Sequence, residues 1–221
     1  MSGNTKQTVP FAQEQLTQAI TQLKQGDSHE EVLPALEAVL SQLQTLSTHD
    51  HLTGALNRRT LIARLDFELQ RSLRTGHTFT FAVISVDGFA QIMEQHGQNA
   101  AKQILQVVTK ESIKILRTLD SFGRIAATEF AIVMPTTWLD QSLKAIERLK
   151  VRLREVEWET IAPGLNITFC TGLTANAPGD SSDAMLNRAL QALQNAKAKG
   201  NDNIGQVEYE LPPYDPSAPD K

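Results

Sequence analysis

An arginine and an aspartate stand three residues apart at Arg117 and Asp120, just before a predicted strand. A planar guanidinium donates paired hydrogen bonds to phosphate oxygens or to the acceptor edge of guanine, and it also stacks on a base. A carboxylate accepts hydrogen bonds from the N–H groups of guanine. Such a pair can read both the base and the backbone of a nucleotide, although the spacing alone also fits a local surface ion bridge of less than ~1 kcal/mol.

Neither the histidines nor the single cysteine indicates a metal site or a reactive nucleophile. The five histidines lack metal-ligand spacing apart from His49 and His51, which we interpret as linker residues. Cys170 lies in an apolar predicted strand and is expected to be inert core. The sequence therefore predicts no metal site.

Composition is that of a soluble globular protein, with 41% hydrophobic and 21% charged residues in a chain of 221. Apolar residues do not gather into a run of ~18 or more, so no membrane span is expected. Because an export signal is missing and there is a single cysteine, we expect a cytoplasmic protein. The net charge of -4 argues against sequence-independent nucleic-acid binding, which needs a basic face.

Helical and strand patterns alternate along most of the chain. Residues 57–74 carry leucines on one helical face, and residues 79–86 form an apolar run typical of a buried strand. Trp138 and Trp158 bracket a predicted helix and are assigned to the core. The alternation predicts an α/β (α+β) domain with a central sheet flanked by helices. The other predicted elements are a helix at 99–116, a strand pair at 123–134, a helix at 139–156, a strand at 166–173 and a helix at 183–199.

Both ends of the chain differ from this domain. Residues 1–47 predict a helical hairpin, whose second helix carries a heptad seam of Val32, Leu36, Val39, Leu43 and Leu46. The seam either packs on its own domain or serves as a dimerisation or signalling element, and both interpretations stay open. Residues 208–221 are rich in proline and acidic residues, which predicts a disordered tail.

Three segments carry a family resemblance. Residues 50–59, DHLTGALNRR, resemble the D-x-L-T-G-L-x-N-R-R signature of GGDEF domains. Residues 123–135, GRIAATEFAIVMP, resemble the family's G-R-x-G-G-D-E-F-x-x-x-x-P hairpin, and residues 196–201 resemble its A-K-x-x-G-R. The resemblance covers the predicted domain at 48–207 and implies a nucleotidyl-cyclase palm-like fold, with a mixed, mostly antiparallel sheet of five strands.

Active members of this family are diguanylate cyclases, which join two GTP molecules with the help of Mg²⁺ held by carboxylates. The family register puts the metal-binding Asp at Ser85 and the hairpin acid at Thr128, so that only Glu129 remains of these acids. Asp87 lies two residues along the strand, about 6.5 Å away, and is discounted as a substitute ligand. We therefore expect no Mg²⁺ and no other cofactor.

Further positions depart from the family pattern. Met93 and Lys102 stand where the family contacts guanine, and Asn201 replaces an arginine that contacts phosphate. Ala126 and Ala127 replace the hairpin glycines that let phosphates approach the backbone. Together these departures predict a degenerate domain that is not an enzyme.

A second family site is intact in the sequence. Its R-x-x-D motif, the inhibitory or I-site, ends five residues before the hairpin motif, as Asp120 does before Ala126. The family's further arginine falls 22 residues after Ala126, at Arg148. The resemblance thus predicts a cyclic di-GMP site at Arg117, Asp120 and Arg148.

These inferences predict a bacterial second-messenger receptor that binds cyclic di-GMP and signals to a protein partner, without contacting nucleic acid or membrane. A homodimer through the N-terminal helices or the I-site ligand is also considered. The alternative is a ligand-independent scaffold built on the same domain.

Overall fold

The structure is a computed structural model, and it describes residues 48–209 together with residues 21, 33, 34, 36 and 37. The chain divides into two units after Thr48, and the second unit is described here. The predicted hairpin at 1–47 lies mostly outside the described residues, as does the tail at 208–221 apart from Glu208 and Tyr209. Domain boundaries at residues 47 and 207 therefore stay predictions.

The second unit is a six-stranded sheet with helices on both faces. The strand order is β1-β3-β4-β2-β5-β6; β1 pairs with β3 and β5 with β6 in parallel, and the other neighbours are antiparallel. In chain order the elements are β1 (Leu56–Asn57), α1 (Arg58–Thr75), β2 (Thr80–Val86), α2 (Phe89–Ile115), β3 (Ser121–Arg124), β4 (Glu129–Met134), α3 (Leu139–Arg154), β5 (Phe169–Ala175), α4 (Ser182–Ala198) and β6 (Ile204–Gln206).

The central strand explains why the sheet has two apolar faces. All seven residues of β2 are buried, and their side chains alternate between two hydrophobic clusters. Ala82 and Ile84 face α2 and α3, whereas Phe81 and Val83 face α1 and α4. A near-continuous apolar run is what a strand covered on both faces requires.

Local signals fix the helix ends. The Asn57 side chain accepts from the backbone N–H of Thr60 at 2.9 Å at the start of α1, and Gly76 ends that helix with a φ of 70°. The long helix α2 contains a non-helical residue, Gly97, with φ 80° and ψ 172°, which kinks it.

The predicted sheet flanked by helices is confirmed, with three corrections. The described residues form six strands rather than five, since β1 and β6 each join an edge in parallel. The helix expected at 99–116 is present as the second segment of α2, but a first segment, which begins at Phe89 and meets it at non-helical Gly97, was not predicted. Trp158 is buried as predicted, but Trp138 precedes α3 with 61% of its surface exposed, so its assignment to the core is wrong.

None of the helices in the described ranges combines the length and apolar character that a bilayer crossing demands.

Candidate functional site

Arg117, Asp120 and Arg148 come together at one surface depression. Arg117 and Asp120 belong to the turn between α2 and β3, and Arg148 projects from α3, which packs beside α2. All three line a small cleft floored by apolar residues such as Met134 and Ala145. The two arginines also line an adjoining groove of about 660 Å³ with Gln141 and Lys144. Arg148 thus shares one site with two residues that precede it by 28 and 31 positions.

The cluster combines two guanidinium groups with one carboxylate. The backbone N–H of Arg117 donates to Oδ2 of Asp120 at 2.8 Å, which orients the carboxylate. Burial raises the pKa of Asp120 above its ordinary value, although this N–H and the nearby Arg117 charge oppose the shift. Both guanidinium groups are exposed, and neither joins a salt bridge within the described part of the chain. Their donors are therefore available to an anionic ligand.

A second, open cavity of about 800 Å³ lies at the ends of β2 and α4. Five of the positions predicted to be degenerate line it, together with Lys197: Ser85, Met93, Ala127, Thr128 and Asn201. Ala126 in the β3–β4 turn and Glu129 at the start of β4 flank this lining, and Ser85 is paired with Glu129 across β2 and β4. Lys102 is exposed on α2 and is not a lining residue. The structure therefore assembles most of this predicted set in one place.

Backbone contacts hold the β3–β4 turn beside that cavity. Arg124 donates from Nη2 to the carbonyl of Ala127 at 2.7 Å, and Arg58 donates from Nη1 to the carbonyl of Ile125 at 3.2 Å. Neither positioning arginine was predicted as a functional residue, although each stands in a segment that carries the family resemblance. Their position within those segments is the sequence feature that could have identified them.

The donors at this cavity do not fit a magnesium ion. Ser85 and Thr128 supply neutral hydroxyls, whereas Mg²⁺ is held in proteins by carboxylate oxygens. Asp87 is 8% exposed, and its Oδ2 accepts from Thr168 Oγ1 and from the backbone N–H of Asp202, each at 2.8 Å. That carboxylate therefore connects the end of β2 to the start of β5 and to the loop before β6. Within residues 48–209, no group of three or more His, Cys, Asp or Glu side chains is arranged to hold a metal ion.

Cys170 is buried as predicted, and burial raises the pKa of its thiol. The sulfur donates to the carbonyl of Gly200 at 3.4 Å. A thiol in this state is a poor nucleophile.

Comparison with known proteins identifies a family whose sequence model matches most of the chain. The sequence model of the family described as "Diguanylate cyclase, GGDEF domain" matches residues 47–203. Among curated proteins, the chain is 30% identical over 182 residues to diguanylate cyclase DgcP of Pseudomonas aeruginosa, covering 82% of this chain and 27% of DgcP. It is also 30% identical over 163 residues to response regulator PleD of Caulobacter vibrioides, covering 72% of this chain and 36% of PleD. The chain thus spans about a quarter to a third of the length of these relatives.

Solved structures agree on the fold. Diguanylate cyclase SiaD of Pseudomonas aeruginosa, crystallised with its activator SiaC, is 27% identical with a TM-score of 0.68, over 92% of this chain and 78% of the SiaD chain. The GGDEF domain of DgcB from Caulobacter crescentus, crystallised in complex with c-di-GMP, is 23% identical with a TM-score of 0.69, over 72% of this chain and 95% of that chain. At that identity the DgcB match supports the fold alone.

These comparisons overturn one prediction. The prediction that the chain is not an enzyme is wrong, because the matching family is described as a diguanylate cyclase and DgcP bears that name at 30% identity. The error lay in extending substitutions at single positions, such as Ser85 and Thr128, to the activity of the whole domain.

Proposed function

The chain belongs to the GGDEF-domain family, and from that premise we propose that it binds cyclic di-GMP at Arg117, Asp120 and Arg148 and passes the signal to a protein partner. The observation that carries the proposal is the meeting of these three side chains at one cleft. Two arginines that join no salt bridge within residues 48–209 and one oriented carboxylate match the groups that a cyclic dinucleotide presents.

Cyclic di-GMP carries two phosphates and two guanines. The exposed guanidinium groups of Arg117 and Arg148 can bind phosphate oxygens or guanine O6 and N7 in a bidentate manner, or stack on a base. Asp120 can accept from guanine N–H groups, and its carboxylate is already oriented by the N–H of Arg117. Three or four charge-assisted contacts of about 1.5 to 3 kcal/mol each support micromolar affinity.

The proposed site is separate from the cavity at Ser85 and Thr128. The cleft and groove around Arg117 share no lining residue with that cavity. Occupancy of the arginine cluster therefore does not fill the cavity in which the family's chemistry would take place. We propose cyclic di-GMP as a regulatory ligand that needs no Mg²⁺ at either place, since neither set of lining residues offers a cluster of carboxylates.

Two solved structures of this fold contain a ligand and a partner of the proposed kinds. The DgcB domain binds c-di-GMP, and SiaD was crystallised with a protein activator. We propose by analogy that this chain also has a signalling protein as its partner. The N-terminal helices and the bound ligand are the two candidate routes to a homodimer.

Titration calorimetry with cyclic di-GMP tests the proposal. We expect the natural chain to bind with a micromolar Kd and Arg117→Ala to bind at least tenfold more weakly. Arg74→Ala, which removes an exposed arginine of α1 that lines neither the cleft nor the groove, should bind like the natural chain. If the natural chain gives neither heat nor a melting shift at ~100 μM dinucleotide, the receptor proposal is wrong and the ligand-independent scaffold stands.

A further inference from the structure

A cavity of about 620 Å³ opens on the other side of Arg117 and Asp120 from the cleft that contains Arg148. Its walls are the loop before β1, the exposed side of α1, the end of α2 and the turn that leads into β3. Arg117 and Asp120 line both spaces, so the same pair stands at the edge of each. The volume is in the range of small-molecule sites.

Arg64 brings a second guanidinium into this cavity. It lies on α1 three residues after the fully buried Leu61 and one before Leu65, which puts it at the edge of the buried face, and its side chain is exposed. Arg64 makes no hydrogen bond or salt bridge within the described ranges. The acid of the lining is Asp120, whose Oδ2 already accepts from the backbone N–H of Arg117. Two arginines against one acid leave the lining with net positive charge.

The rest of the lining is largely apolar. Leu116 and Phe122 contribute to the wall. Two further lining residues are exposed: Ile113 of α2, at 53%, and Leu119 of the turn before β3, at 69%. Exposed aliphatic side chains beside a guanidinium form a surface on which the face of a base can pack, while the guanidinium binds a phosphate. The cavity thus repeats the combination of charge and apolar surface found beside Arg148.

We propose that Arg64 is a further binding residue for cyclic di-GMP, contacting a phosphate of the ligand on the side of Arg117 that faces away from Arg148. The inference rests on the proposed function, because a ligand reaches Arg64 only if it is bound by Arg117 and Asp120, which line both spaces. It adds a third guanidinium, from α1, to the two that the family register identified. The elements that hold the ligand would then be α1, the turn before β3, and α3.

Titration of cyclic di-GMP into Arg64→Ala, Arg74→Ala and the natural chain tests this inference. Both variants remove one exposed arginine from α1, so they change the net charge equally, but Arg74 does not line the cavity. We expect Arg64→Ala to weaken binding about tenfold, Arg74→Ala to stay within twofold, and Arg64→Lys to recover only part of the loss, since an ammonium cannot bind a phosphate in the bidentate manner. Thermal unfolding of each variant checks that the fold is intact.

Equal affinities of Arg64→Ala and Arg74→Ala would overturn the role of Arg64. If the two substitutions weaken binding to the same extent, the cause is the lost charge rather than a contact with the ligand, and the inference is again wrong. In either case the proposed function stands as long as Arg117→Ala loses affinity. If the natural chain itself does not bind, both the function and this inference fail.

Discussion

Arg124 donates from Nη1 to both carboxylate oxygens of Asp50, at 3.1 Å to Oδ1 and 3.3 Å to Oδ2. The same Asp50 oxygen, Oδ1, accepts from the backbone N–H and the hydroxyl of Thr53 at 2.9 and 2.7 Å. Through Nη2, Arg124 also reaches the carbonyl of Ala127 in the β3–β4 turn. One carboxylate thus connects the loop before β1 to the turn beside the 800 Å³ cavity.

Asp50→Asn should lower the free energy of unfolding by about 2 kcal/mol at neutral pH, because it leaves a largely buried Arg124 guanidinium without its anion. Burial alone would raise the pKa of Asp50, but the hydrogen bonds from Thr53 and Arg124 outweigh it and hold the pKa below its usual value. A carboxyl with a lowered pKa in the folded state stabilises the fold above its unfolded pKa of about 3.9, and this stability is lost as the pH falls through the folded pKa.

Urea denaturation at several pH values measures this effect. The gap in stability between the natural chain and Asp50→Asn should narrow as the pH falls below about 4. Asp66→Asn, at an exposed position of α1, is the control and should change stability by less than about 0.5 kcal/mol. A gap that stays constant across the acid range would mean that ionised Asp50 does not stabilise the fold.

Gly172→Ala should be among the most damaging single substitutions in this domain. A Cβ at Gly172 of β5 would lie 2.2 Å from the carbonyl oxygen of Ala189 and 2.2 Å from the nitrogen of Leu193, both in the backbone of α4. Helix and strand would have to separate, and we expect a cost of at least about 3 kcal/mol. Gly179→Ala meets no atom within 4 Å and carries only the strain of φ 79°, so about 1 kcal/mol is expected. Equal losses in urea denaturation would show that α4 yields to the added methyl group.

Much of this fold was readable because long elements carry strong patterns. β2 is buried along its whole length, and its apolar run identified it without ambiguity. β1 has two residues and β6 three, which is too short for periodicity to detect, so the sheet gained two parallel edge pairs that the sequence analysis did not place. The helix predicted at 99–116 corresponds to the second segment of α2, whereas the short segment before non-helical Gly97 was not predicted.

The candidate site divides in a similar way. Arg117 and Asp120 stand close in sequence, so their pairing could be predicted from spacing, whereas Arg148 was found through the family register. Arg64 had no signal, because an arginine on the exposed face of an amphipathic helix looks like any solvated residue. Only the folded arrangement puts Arg64 in one cavity with Arg117.

Binding of cyclic di-GMP should weaken as the pH falls, because Asp120 must be ionised to accept from guanine. Burial raises the pKa of Asp120 in the free protein, so its carboxylate takes up a proton at higher pH than an ordinary aspartate does. A ligand that donates to the ionised form lowers that pKa, and binding therefore releases a proton. In the free protein Asp120 affects stability in the opposite direction to Asp50. Because its pKa is raised by folding, its ionisation lowers the free energy of unfolding at pH values above that pKa.

Calorimetry of cyclic di-GMP binding between about pH 7 and pH 4.5 follows this coupling, with Asp120→Asn as the matched control of equal size. The natural chain should lose affinity towards acid pH, and Asp120→Asn should bind more weakly at pH 7 with a flatter profile. If both proteins show the same pH profile, another group titrates and Asp120 does not contact the ligand.

The pair Ser85→Asp and Thr128→Asp should create a divalent cation site at the 800 Å³ cavity. Both residues line that cavity, and Ser85 lies opposite Glu129 in the β2–β4 pairing, so the two new carboxylates would stand close to an existing acid. Ser85 is only 1% exposed, and an unpaired aspartate there should lower the melting temperature in the absence of metal. Because Mn²⁺ binds oxygen ligands much as Mg²⁺ does, adding ~1 mM Mn²⁺ should restore the melting temperature of the double variant and leave that of the natural chain unchanged.

Ser85→Asn with Thr128→Asn is the control for this prediction, because it has the same shape without the charge and should not respond to the ion. A natural chain that gains as much stability from Mn²⁺ as the double aspartate variant would show that its present donors already hold a metal, and the proposal that it needs none would be wrong.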